Sequence, residues 1–153
     1  MRAEVDRIRD QLNRAFFGNS WHGDAIFDVL DTIPATVADR RPVEGAHTIH
    51  EIVLHTAVWL DVVSKRAGGA SFESLTPDED WPAADGSWPD ALAELRAARD
   101  RLDALLAEMD DAELSRSIVG QRQSWSAYED LHGTIQHALY HAGQIVILAK
   151  LGD

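Results

Sequence analysis

The stretch Ser126-Ala-Tyr-Glu-Asp-Leu-His-Gly-Thr-Ile-Gln-His-Ala-Leu-Tyr-His-Ala-Gly-Gln-Ile-Val-Ile-Leu148 decides the fold of this chain. Its apolar residues Leu131, Ile135, Ala138, Ala142, Ile145 and, just beyond, Ala149 recur at alternating steps of four and three, the spacing of a helix with one side on a core. Ser126 with Glu129 three residues later forms a capping box, so the helix start is marked. The same segment carries His137 and His141. Residues four apart lie about 40° apart around a helix and about 6 Å along it, so both imidazoles leave one face, beside the apolar seam. That is half of a metal site, at the margin of a core.

Working outward, the prolines at 34, 42, 77, 82 and 89 leave three proline-free reaches, each with helical spacing. The first runs Val5, Ile8, Leu12, Ala15, Phe16 and resumes as Ile26, Phe27, Leu30, predicting an opening helix with a break between Phe17 and Gly23. Pro34 ends or kinks it, and a short piece from Ala35 to Asp39 leads into a turn-rich connector, Arg41 to Gly45. Thr48 and Glu51 make a second capping box for a helix that closes at Gly68-Gly69. Residues Ser71 to Trp88 lose periodicity and carry two of the prolines, with Pro89 immediately after, which reads as a long crossover loop of the kind that covers a site. Ser87 caps a third helix reaching Met109. Leu114 to Ser124 reads as a short helical turn followed by an irregular or briefly extended Ile118-Val119-Gly120. The expectation is an all-α fold, a four-helix bundle with a long crossover loop between its second and third helices, forming a single domain over residues 1–153.

Composition excludes several functions. The formal charge of −12, from 26 acidic and 14 basic residues, repels nucleic acid and anionic membrane surfaces. No cysteine is present, so a transition-metal site must use His, Asp, Glu and water. No apolar run approaches the ~20 residues that span a bilayer, and no secretory leader pattern opens the chain, so a cytoplasmic protein is expected. His55 supplies the missing half of the metal site. With Ile52, Val58, Trp59 and Val62 on its own face, it points inward from the second helix. Two imidazoles from one helix and one from a facing helix give three neutral nitrogen donors with positions left open, an arrangement catalytic in kind. The alternative is a hydrogen-bonded histidine cluster without metal. His50 and His132 face elsewhere on their helices, and His22 and His47 are expected on the surface. Position 138 is alanine, so the zinc-peptidase pattern with glutamate after the first histidine is absent.

The segments His47-Thr-Ile-His-Glu-Ile-Val-Leu-His55 with Trp59, the Trp-Pro loop, and Gln136-His-Ala-Leu-Tyr-His-Ala-Gly-Gln-Ile145 resemble the DinB/YfiT-like superfamily of bacterial four-helix bundles, from about Trp21 to Leu148. The resemblance implies a divalent metal, zinc or nickel, on His55, His137 and His141, and a homodimer. It also implies relatives that act as metal-dependent thiol S-transferases, hydrolases or isomerases using bacillithiol or mycothiol.

Around the three ligands, other residues are candidates. Three neutral imidazoles leave the ion its +2 charge, which lowers the pKa of bound water toward ~7 or stabilises a thiolate that attacks a small-molecule substrate. Glu51 is either a partner of His55 or general base, or simply the capping residue of its helix. Gln144 is placed to bond a metal-bound water, and Tyr140 is a proton donor or a core residue. Trp59, Trp81 and Trp88 either wall a substrate pocket or pin the crossover loop. Gly133 admits a ligand or a close helix. Two functions stay open: a hydrolase or thiol transferase, favoured by a pocket at the open positions, and a non-catalytic metal-binding, stress-associated dimer, favoured by an apolar seal there.

Overall fold

A computed structural model describes residues 2–71, 74–118 and 125–151. Four long helices make the bundle: α1 (Ala3–Phe17), α4 (Ile49–Ala67), α6 (Trp88–Glu108) and α7 (Ala127–Lys150). Between α1 and α4 lie two short helices, α2 (Ile26–Leu30) and α3 (Ala35–Ala38), as the broken opening pattern predicts. The break follows from Gly18, whose φ of 124° takes the chain out of the helix where a side chain would be strained.

Each long helix after the first starts where its capping residue stands. Thr48 accepts from the Glu51 N–H at 3.1 Å while the Glu51 carboxylate accepts from the Thr48 N–H at 2.8 Å. Ser126 and Glu129 repeat the exchange at 3.3 and 2.7 Å, and Ser87 accepts from the Asp90 N–H at 3.2 Å. Such caps satisfy backbone donors that the helix itself cannot.

The buried faces form one cluster, with Val5, Ile8, Leu12 and Phe16 of α1, Leu60 of α4, Leu95, Leu102 and Leu106 of α6, and Leu131 of α7 among its most enclosed members. Helix α4 packs against α6 and α7, and α1 packs against the same two helices. The ring order is therefore α1, α6, α4, α7, and the connections from α1 to α4 and from α6 to α7 cross diagonals. The histidine-bearing α4 and α7 are neighbours.

One connection differs from expectation and another follows it. The crossover between α4 and α6 is not structureless: Thr76 caps a single helical turn, α5 (Pro77–Asp80). One turn is too short to show a hydrophobic period, which is why the sequence reads as loop. Before α7, a 3-10 turn (Asp111–Ser115) leads to a two-residue strand β1 (Ser117–Ile118) paired antiparallel with β2 (Trp125–Ser126). The extended reading thus holds at Ile118, while Val119 and Gly120 lie outside the described residues.

Candidate metal centre

His55 projects from α4 and His137 and His141 from α7, and among the described residues their donor nitrogens form a cluster lying within 4.8 Å of one another. The Nε2 atoms of His55 and His137 are 3.1 Å apart, and those of His141 and His137 are 2.9 Å apart. Two donors at about 2.0–2.1 Å from one ion and 90–109° apart would be separated by about 2.8–3.4 Å, so the spacing fits a shared ion.

The outer nitrogens explain why these Nε2 atoms face one another. His55 Nδ1 lies 2.6 Å from the Asp80 backbone oxygen, and His141 Nδ1 lies 2.6 Å from Gln144 Oε1. A carbonyl oxygen only accepts, so each Nδ1 carries the proton and each neutral ring presents an Nε2 lone pair to the centre. His137 can donate to one of them at most. A cation satisfies all three lone pairs together, and the donor set therefore fits a divalent metal.

Electrostatics favour the ligand-competent neutral form. Burial lowers the His137 pKa to about 4, assisted by His141 and His55. Burial also lowers His55 against an opposing pull from Asp80, and lowers His141 against the opposing bond from Gln144.

Two cavities meet the cluster. One, of about 330 Å³, lies between α4 and α7 and is lined by both His55 and His137 with Trp59, Arg66, Asp130 and Gly133. Val63, Ile118 and Trp125 make much of its remaining wall apolar. Asp130 stands 3.7 Å from the buried Arg66, and burial raises its carboxyl pKa despite that guanidinium. The second cavity, of about 380 Å³, is lined by His141, Trp81, His47, Tyr140 and Gln144 and edged by Val43, Ile147 and Leu151.

The remaining expected residues divide. Trp59 lines the first cavity and Trp81 the second. Trp88 instead sits in the core at the start of α6, 5% exposed, its indole N–H donating to the Ile33 oxygen at 2.8 Å, and it lines neither cavity. Its amphipathic ring satisfies itself inside the bundle. Glu51 makes no bond to His55; its carboxylate holds the Thr48 N–H and a two-point ion pair with Arg41, which fixes it as a cap. Gln144 bonds the outer nitrogen of His141 rather than facing the centre, and its amide donates to Tyr140, whose side chain is largely exposed rather than core. Nothing packs within 4 Å of where a Gly133 side chain would begin, so the glycine opens onto the cavity and serves no close helix contact.

His50 faces away as expected, bonding Asp39 at 2.8 Å, and His22 is exposed. His47 is no simple surface residue: its ring stacks on Trp81 with centroids 3.5 Å apart. Asp80, which the sequence left unassigned among the acidic loop residues, contacts both His55 and Trp59. The nearest signal was its place one residue before the Trp-Pro pair.

Comparisons with known proteins agree with this architecture. The solved structure of YfiT from Bacillus subtilis, described as a probable metal-dependent hydrolase with an unusual four-helix bundle topology, matches with a TM-score of 0.68 at 15% identity, covering 98% of this chain and 88% of that one. A conserved protein from Enterococcus faecalis matches with a TM-score of 0.66 at 15% identity, covering 96% and 91%. Comparison with curated proteins gives no match. At that identity the solved structures speak for the fold alone. The DinB superfamily profile, in contrast, matches the sequence itself over residues 20–145, and a match spanning most of the chain and the whole histidine cluster makes this protein a member of the DinB superfamily.

Proposed function

We propose that this protein is a metal-dependent enzyme in which His55, His137 and His141 hold a divalent ion, zinc or nickel, and in which water or a low-molecular-weight thiol such as bacillithiol or mycothiol attacks a small electrophilic substrate. The observation that carries the reading is the convergence of three Nε2 atoms beside a cavity of about 330 Å³ that reaches two of the three rings. An ion so held supplies Lewis-acid charge that lowers the pKa of a water or thiol toward neutrality.

The chain's own residues do the rest. The Asp80 oxygen and Gln144 orient two of the rings, while Trp59, Trp125, Val63 and Ile118 provide an apolar wall. Arg66 and Asp130 offer a polar anchor, with Asp130 two turns, roughly 10 Å, along α7 from His137. The Bacillus subtilis neighbour's description as a probable metal-dependent hydrolase supports the hydrolytic branch. A reachable cavity at the cluster favours the enzyme over a metal-binding bundle without turnover. A homodimer is supported by the exposed Val43, Tyr140, Ile147 and Leu151 around the second cavity. Among the described residues no helix is long and apolar enough to cross a membrane.

The test is metal analysis of untagged protein beside His55→Ala and His137→Ala. Stoichiometric divalent metal lost in both variants supports the site; equal metal content in all three removes it. Incubation of the loaded protein with thiols and a chromogenic electrophile then separates transfer from hydrolysis, and a protein inert in both is a binder.

A further inference from the structure

Trp81 is held face to face between two imidazoles. Its ring lies parallel to that of His55, with centroids 3.8 Å apart and planes within 4°, and on its other face parallel to His47 at 3.5 Å and 5°. The preceding residue grips the same helix twice more. The Asp80 backbone oxygen accepts from His55 Nδ1, and the Asp80 carboxylate accepts from the Trp59 indole N–H at 2.7 Å. These contacts reach α4 and its N-terminal flank at residues 47, 55 and 59. On the loop side, the Thr76 cap and the bond from the Trp81 N–H to the Pro77 oxygen at 2.9 Å make α5 a rigid turn that presents both residues together.

We infer that Asp80 and Trp81 form a clasp that positions the His55 imidazole for the metal, and that the ordering of α5 and the loading of the site are coupled through it. The inference rests on the metal-site reading above. A loop merely pinned to the bundle needs only an apolar face to rest on. This one instead takes the outer nitrogen of a ligand and covers that ligand's ring face. The bond fixes the tautomer and the stack fixes the ring plane, so the His55 lone pair is aimed before an ion arrives. Without the stack the ring is held by its Nδ1 bond alone, and the ion must complete the ordering of its plane. Coupling of this kind is reciprocal, so an ion on His55 also holds α5 in place.

The test compares wild type, Trp81→Ala and Trp81→Phe, each shown to be folded by circular dichroism and thermal melting. Zinc affinity is measured by competition, the cobalt-loaded absorption spectrum reports ligand geometry, and hydrogen exchange at the Trp59 indole N–H reports the clasp. Expected are a loss of about tenfold or more in affinity for Trp81→Ala, a changed cobalt spectrum, and recovery of most of both in Trp81→Phe, which keeps a flat ring. Zinc should slow indole exchange in wild type and not in Trp81→Ala. Wild-type affinity and spectrum in folded Trp81→Ala overturn the clasp and leave the metal site standing. A wild-type protein that binds neither zinc nor cobalt overturns both.

Discussion

Replacing Gly133 with alanine should make the protein more stable while narrowing the space beside the histidines. The residue lies inside α7, where glycine costs about 1 kcal/mol relative to alanine. Nothing stands within 4 Å of the added methyl group, so no clash offsets that gain. For a chain of this size about 1 kcal/mol raises the melting temperature by roughly 2–4 °C. Gly143 provides an internal control, since it lies on the same helix, is exposed, and has equally open surroundings without lining either cavity. Urea unfolding of the metal-free proteins should show similar stabilisation for Gly133→Ala and Gly143→Ala. The double variant should be additive, because the sites are about 15 Å apart along the helix. Only Gly133→Ala should alter turnover of a substrate that occupies the cavity. A loss of stability in Gly133→Ala, with Gly143→Ala stabilised, refutes the reasoning, for it means that a neighbour closes on position 133 and the glycine exists for packing.

Leu102→Ala empties a fully enclosed site on α6 that lines neither cavity, and should cost about 2–5 kcal/mol in denaturant unfolding while metal stoichiometry stays at the wild-type level. Ser126→Ala removes the acceptor of the Glu129 N–H and should cost about 0.5–2 kcal/mol, with faster amide exchange confined to the first turn of α7; exchange spread evenly along the helix contradicts the cap. Metal-free protein should lose stability as pH falls from about 7.5 to about 5.5. His137 has a folded pKa of about 4 against 6.5 for an ordinary imidazole, and His55 and His141 shift the same way, so over this range the unfolded chain takes up protons that the folded chain refuses. Equal or greater stability at the lower pH contradicts neutral, buried rings.

The pairing of His137 with His141 was readable in the sequence because a helix fixes neighbours four apart whatever surrounds it. Thr48, Ser87 and Ser126 marked helix starts for a similar reason, since each cap is a contact with residues at most three positions away. His55 could be aimed inward from the apolar residues on its own face. Tertiary structure alone decided the rest. The ring order that makes α4 and α7 neighbours, the burial of Trp88 against Ile33, and the use of Glu51 on Arg41 depend on contacts between segments with no shared period. Asp80 ends a single helical turn, too short to announce itself, and Trp81 follows it as the C-cap; His47 meets Trp81 only because that turn comes down on it. Periodicity is written locally along a chain, whereas the meeting of a loop with a helix is settled by the packing of the whole bundle, and that is where this site acquires the partners of its third histidine.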